Sequence, residues 1–124
     1  MKEIIAVVRM NTMNQTKQAL TKIGIDSMFA HECQGRGKGL VDSKILAGAS
    51  QGYEEAIALL GEKGKLYSKR MLTMVVSDHN VEPVIMTLIE TNQTGKPGDG
   101  KIFVLPISNA ARVRTGEIGP KAIV

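Results

Sequence analysis

Residues Ser77 to Leu105 read SDHNVEPVIMTLIETNQTGKPGDGKIFVL, and the order of patterns along them decides the fold. Val81, Val84, Ile85, Leu88 and Ile89 lie at offsets of 0, 3, 4, 7 and 8, which draws one apolar stripe along a helix. Ser77 and Asp78 stand ahead of it as candidate caps. A glycine-rich loop follows from Asn92 to Gly100, and then Ile102 to Leu105, IFVL, a strand. Within the loop, Gly95 to Lys101 spells G-x-x-x-x-G-K, the first seven positions of the Walker A pattern. The eighth is Ile102, where a P-loop places the hydroxyl that holds Mg²⁺. A P-loop also runs strand, loop, helix, so that the helix N-terminus faces the phosphates. Here the helix comes first, so this order does not support P-loop hydrolysis. Gly95, Gly98 and Gly100 still free backbone N–H groups to approach an anion, and Lys96 and Lys101 still supply charge. From the loop alone two readings stand: an anion cradle, or a tight solvated turn.

Working outward, Met71 to Val76 is a strand leading into that helix. At the other end, Ile4 to Val8 is a strand, and Asn11, Thr12 and Asn14 offer caps for a helix bearing Met13, Ala19, Leu20 and Ile23. Gly24 is its natural stop. Ser27 to Gln34 predicts another strand. Between the halves, GRGKGLVDSKILAGASQGYEEAIALLGEKGK, Gly35 to Lys65, is a long glycine-rich segment without sustained period. Tyr53 to Leu60 inside it has helical character, with Glu54 and Glu55 in the first turn and Gly61 behind. Ala111 to Arg114 is a short extended segment before a turn-rich tail. The order β-α-β, long loop, β-α-β predicts an α+β chain: a ferredoxin-like βαββαβ sandwich with both helices on one face of an antiparallel sheet. No repeat breaks residues 1–124, so one domain is expected.

Composition narrows the function. A net charge of +4 suits an anionic partner without the charge density of a dedicated nucleic-acid binder. The only aromatics are Phe29, Phe103, Tyr53 and Tyr67, a poor supply for stacking RNA bases on a sheet. An RNA-binding ferredoxin-like module is the rival from another class, and no nucleic-acid partner is expected. Cys33 is single and reads as a small core residue, excluding an intrachain disulfide or a multi-cysteine metal site. No apolar run reaches the length of a membrane span, so a cytoplasmic protein without membrane insertion is expected.

Two further basic elements join the loop at Thr94 to Lys101. One is GRGKG, Gly35 to Gly39; the other is Arg112 and Arg114 in RVRTG, whose alternate spacing on a strand would aim both guanidinium groups to one side. Three anion-friendly elements in one small chain favour a nucleotide site. Nucleophile elbow, paired-carboxylate motif and metal cluster are all missing, and His31 and His79 read as structural. The chemistry suggested is sensing rather than catalysis.

On these residues the chain resembles the PII nitrogen-regulatory signal-transduction family. TGKPGDGKIFV resembles its B-loop (94–101), RVRTGE and the tail its C-loop (112–124), MVVSDH its third strand and helix start, and 36–68 its T-loop. The resemblance implies a homotrimer with ATP or ADP in each inter-subunit cleft, 2-oxoglutarate as a second ligand, with Mg²⁺ possible, and a T-loop that docks on targets. Carried over position by position, Gly98, Asp99, Gly100 and Lys101 are where the B-loop wraps the phosphates, and Arg112 and Arg114 are the phosphate-binding arginines. Gly35 and Gly37 open the T-loop beside the nucleotide, and Lys69 matches the lysine that pairs with 2-oxoglutarate.

The departures are equally specific. Gly39 stands where the family has a Gln that helps hold Mg²⁺ and 2-oxoglutarate, Phe29 where a Thr lies near the adenine, and Thr73 where a Glu lies near the nucleoside. Losing an oxygen ligand weakens a hard-cation site. The uridylylation-site tyrosine motif is not recognisable; Tyr53 and Tyr67 are candidates by residue type alone. The enlarged T-loop is similar to that of the archaeal and anaerobe branch encoded with nitrogen-fixation genes, in its long-loop member. That implies dinitrogenase as target, inhibition relieved by 2-oxoglutarate, and a paralogue in the assembly. Regulation of an ammonium transporter is the alternative within the family. Tyr53, Leu59 and Leu60 are candidate partner-binding residues, with packing of the two leucines back on the trimer as the other reading.

Overall fold

The computed structural model describes residues 1–37 and 66–124. The inner helix expected at Tyr53 to Leu60, and with it Tyr53, Leu59, Leu60 and Gly39, lies outside the described residues.

The described chain runs β1 (Lys2–Arg9), α1 (Met13–Lys22), β2 (Phe29–Gly35), β3 (Tyr67–Val76), α2 (Val81–Asn92) and β4 (Lys101–Pro106). The strands form one antiparallel sheet in the order β2-β3-β1-β4. This is the ferredoxin-like α+β arrangement expected from the order of patterns.

Strand alternation sorts the sheet into two faces. Ile4, Ala6 and Val8 of β1 and Leu72, Met74 and Val76 of β3 point to one side, where they are buried with Leu20 of α1 and Val84 and Leu88 of α2. Both helices therefore cover the same face. Apart from Ala6, each such side chain contributes about 1.5–3 kcal/mol on burial. Thr16 and Asn92, which sequence periodicity passed over, join the helices inside this layer. Asn92 Nδ2 donates to Thr16 Oγ1 at 3.2 Å and to the Leu88 carbonyl at 3.0 Å, while Thr16 Oγ1 donates to the Thr12 carbonyl at 2.7 Å. The opposite, open face carries a row of directly opposed residues, Phe29, Thr73, Ile5 and Phe103, across all four strands. Phe29 and Phe103 are exposed there.

α1 ends as expected. Gly24 has φ +87°, its N–H donates to the Thr21 carbonyl and that of Ile25 to the Leu20 carbonyl, the paired bonds of a Schellman stop. Ile23, expected on the apolar stripe, falls just beyond the last turn and is exposed.

Four other expectations are corrected. Ser77 and Asp78 do not cap α2 directly: a 3₁₀ turn over Asp78–Asn80 intervenes, and the Asp78 carboxylate accepts from the Met1 amino group at 2.9 Å. β3 begins at Tyr67, so Tyr67 and Ser68 belong to the sheet rather than to a 36–68 loop, paired with Gly35 and Gln34. Cys33 is half-buried on the open face opposite Lys69, not in the helix-covered core. Ala111 to Arg114 is no strand: Ala111 makes a single bridge to Ile118, and the chain turns between them, closed by Gly116 N–H on the Arg112 carbonyl at 2.7 Å.

Candidate functional site

The phosphate-loop candidate joins α2 to β4 at the end of the sheet where β1 finishes and β3 begins. Its shape comes from one carboxylate. Asp99 Oδ2 accepts from the backbone N–H of Thr94 at 2.7 Å and of Gly95 at 2.9 Å, and Oδ1 accepts from the Thr94 hydroxyl at 2.5 Å. Arg9 Nη1 donates to the same Oδ1 in an ion pair. Thr94 and Arg9 together hold the Asp99 carboxyl well below the usual carboxylate range, because every donor favours its ionised form.

Two cations secure the crest of the loop. Arg9 Nη2 donates to the Pro97 carbonyl at 2.8 Å and Lys69 Nζ to the Gly98 carbonyl at 2.8 Å. Partial burial, reinforced by the nearby Arg9 charge, lowers the Lys69 pKa. Gly98 has φ +98° and Gly100 φ +111°, a region that favours glycine. The fit is closest at Gly100, where an added Cβ would stand 1.7 Å from the Val7 carbonyl oxygen. Gly100 is therefore required by contact with β1 as well as by its backbone angle.

Beside this loop opens a groove of about 410 Å³, lined by Gly35, Arg36, Gly37, Lys69, Lys96 and residues Pro97 to Lys101, together with Val7 and Phe103. Six of the residues expected to bind nucleotide, Gly35, Gly37, Gly98, Asp99, Gly100 and Lys101, thus meet at one place with Lys69. The end of β2 and the α2–β4 loop are far apart in sequence; the β2-β3-β1-β4 order brings them to one rim. Asp99, also in the lining, organises the turn through its bonds to Thr94 and Gly95. The turn is tight, held by the Asp99 carboxylate, and the groove beside it is lined by Lys69, Lys96 and Lys101.

Arg112 and Arg114 do not line this groove. Arg112 Nη1 donates to Glu117 Oε1 at 2.8 Å, and its Nη2 to the main-chain oxygens of Lys121 at 3.1 Å and Val124 at 2.5 Å. Arg114 is exposed within the turn. The alternate-strand geometry expected for the pair is absent because Gly116, at φ +73°, lets the chain fold back before a strand can form. Arg9, Thr94 and Asn92 were not singled out from sequence. A charged residue directly ending an apolar strand, as Arg9 ends β1, was the available signal.

Among the described residues no cluster of three or more His, Cys, Asp or Glu could hold a metal, and no helix is long and apolar enough to cross a membrane.

A four-stranded βαββαβ sheet with a glycine loop folded back on β1 defines the class, and comparison with known proteins supplies the family. The family model described as nitrogen regulatory protein P-II matches residues 1–117. The chain belongs to the nitrogen regulatory P-II family. It is similar to the "Nitrogen fixation nifHD region GlnB-like protein 2" of Methanobacterium ivanovii, 41% identical with 100% of each chain covered. It is also similar to the "Nitrogen fixation nifHD1 region GlnB-like protein 2" of Methanosarcina barkeri, 44% identical with 99% of each covered. Among solved structures, Arabidopsis thaliana PII bound to citrate superposes with a TM-score of 0.73 at 35% identity, over 98% of this chain and 88% of that one. The expected family and its nitrogen-fixation-region relatives are thereby found.

Proposed function

We propose that this P-II family chain is a nucleotide-dependent regulator that binds ATP or ADP in the groove beside the 94–100 loop. The observation that carries the proposal is the convergence of Gly35, Gly37, Lys96, Gly98, Gly100 and Lys101 on one groove whose nearest backbone approach admits only glycine. Lys96 and Lys101 would neutralise phosphate oxygens, and glycine positions let backbone N–H groups approach them. The bound nucleotide would supply charge and contacts that bias conformation; no step of its hydrolysis is assigned, and a regulatory rather than catalytic role follows from the family.

Homotrimerisation is part of the reading. The row Phe29, Thr73, Ile5 and Phe103 leaves an apolar sheet face open to solvent in the single chain, and association would cover it. Arg112 and Arg114, which lie away from the groove of their own chain, would then serve the groove of a neighbouring subunit. 2-Oxoglutarate is the proposed second ligand, with Lys69 as its cationic partner; the solved relative bound to citrate supports carboxylate chemistry in this family. Mg²⁺ would be held chiefly by phosphate oxygens.

The names of the relatives place them in nitrogen-fixation gene regions, which supports dinitrogenase as the target, with inhibition relieved by 2-oxoglutarate, and a paralogue as a co-subunit. Ligand binding regulates the target only by the difference in its affinity for the two forms of the docking loop. Calorimetric titration with MgATP tests the site: saturable binding that is lost on Lys101→Gln supports it, and no heat from the native protein overturns it.

A further inference from the structure

Arg9 and Lys69 are directly opposed in the β1–β3 ladder, both on the open face of the sheet. Like charges so placed destabilise a pair of strands unless something anionic separates them. What meets them is the loop. Arg9 takes the Asp99 carboxylate and the Pro97 carbonyl, and Lys69 takes the Gly98 carbonyl. These are three consecutive residues, and each offers an oxygen that would repel a phosphate if it turned into the groove. With all three oxygens engaged by the two cations, the groove wall formed by this loop presents the basic side chains Lys96 and Lys101 to an anion. Gly98 leaves room for both cations, since an added Cβ would stand 3.1 Å from Arg9 Nη2 and 3.3 Å from Lys69 Nζ and push these side-chain ends back by a few tenths of an ångström.

We propose that Arg9 is a positioning residue for the phosphate loop: it sets the groove's polarity by holding the Pro97 carbonyl and the Asp99 carboxylate away from the ligand, without touching the ligand itself. Its readout by affinity rests on the nucleotide reading above; its effect on the loop does not. Arg9 does not line the groove, which separates this role from direct contact. A lysine in its place would keep one bond and the charge but not the two-pronged grip on Asp99 and Pro97.

The test is a double-mutant cycle with MgATP calorimetry on the wild type, Arg9→Met, Asp99→Asn and the double variant, with Arg9→Lys as the conservative member. Arg9→Met is expected to weaken ATP binding about tenfold or more, as loss of a charged hydrogen-bond pair implies. Asp99→Asn should do likewise, the double variant should lose little beyond either single change, and Arg9→Lys should fall between. Additive losses would mean that Arg9 acts on the ligand directly and would overturn the proposal, as would unchanged affinity in Arg9→Met. Amide exchange at Thr94 and Gly95 in the ligand-free proteins supplies the independent arm. Arg9→Met is expected to speed it about tenfold, since these N–H groups rely on a carboxylate that Arg9 anchors. If the native protein binds no ATP, the nucleotide reading fails and this exchange alone decides: faster exchange sustains the positioning role, and unchanged exchange overturns it.

Discussion

Lys69 stands directly across from Arg9 in the β1–β3 ladder, and its ammonium reaches over to the Gly98 carbonyl at 2.8 Å. Burial and the Arg9 charge both lower its pKa from the ordinary lysine value. A base with a lowered folded-state pKa releases its proton in the folded protein first, so stability rises with pH between the folded and unfolded values. An anion bound beside Lys69 opposes the effect. We expect the Lys69 pKa, followed by NMR of the labelled side chain, to lie below that of the surface lysines and to rise when 2-oxoglutarate is added with MgATP. A Lys69 pKa unmoved by the dicarboxylate would contradict its assignment as that ligand's partner.

Asp99 has the opposite sign. Its folded-state pKa is depressed, so its contribution is complete above the unfolded carboxylate value and fades only as pH falls through the lower, folded one. Denaturation curves of the wild type and Asp99→Asn should therefore differ by a constant amount from neutral pH down to about pH 4, the ordinary aspartate range, and converge only below it. Convergence already above about pH 5 would show that the loop network is not ionised as described.

Gly95 and Gly100 of the loop should answer differently to alanine. Gly95 has φ +80° but open space around its missing Cβ, so Gly95→Ala is expected to cost about 1–2 kcal/mol from backbone conformation alone. Gly100→Ala adds a collision with the Val7 carbonyl, so it should cost clearly more and also displace the loop from β1. Equal costs in chemical denaturation would deny the close approach.

Thr16 and Asn92 offer a test of the helix layer. Thr16→Val removes the hydroxyl that Asn92 Nδ2 bonds and should cost about 1–3 kcal/mol, the expense of an amide left short of a partner in the core. Combining it with Asn92→Leu should recover much of the loss. A double variant no better than the sum of the singles would mean that the pair is not coupled.

Arg112 and Arg114 should separate by phenotype. Arg112 ties Glu117 to the main chain at Lys121 and Val124, so Arg112→Gln is expected to lower both thermal stability and ATP affinity. Arg114→Gln, on an exposed turn, should lower ATP affinity at unchanged stability.

Much of this was legible in the sequence because strong local patterns coincide with tertiary demands. The stripe through Val84 and Leu88, the stop at Gly24 and the helix-before-strand order around 94–101 all express periodicity or backbone geometry that a single segment contains. What escaped was non-local. Arg9 acquires its role only when β1 ends beside a loop some 90 residues later in the chain, a separation no local pattern reports. Thr16 and Asn92 look polar and therefore peripheral until each supplies the other's bond. Arg112 and Arg114 misled for the converse reason: alternation alone spells a strand, but Gly116 folds the segment back before it can pair.

A crystal structure grown with MgATP bears most directly on the nucleotide site. It is expected to show a trimer with the phosphates against Gly98 to Lys101, within hydrogen-bonding distance of Lys101, and Arg114 reaching them from a neighbouring subunit. Nucleotide bound away from this loop, or a groove that stays empty at saturating ATP, would contradict it.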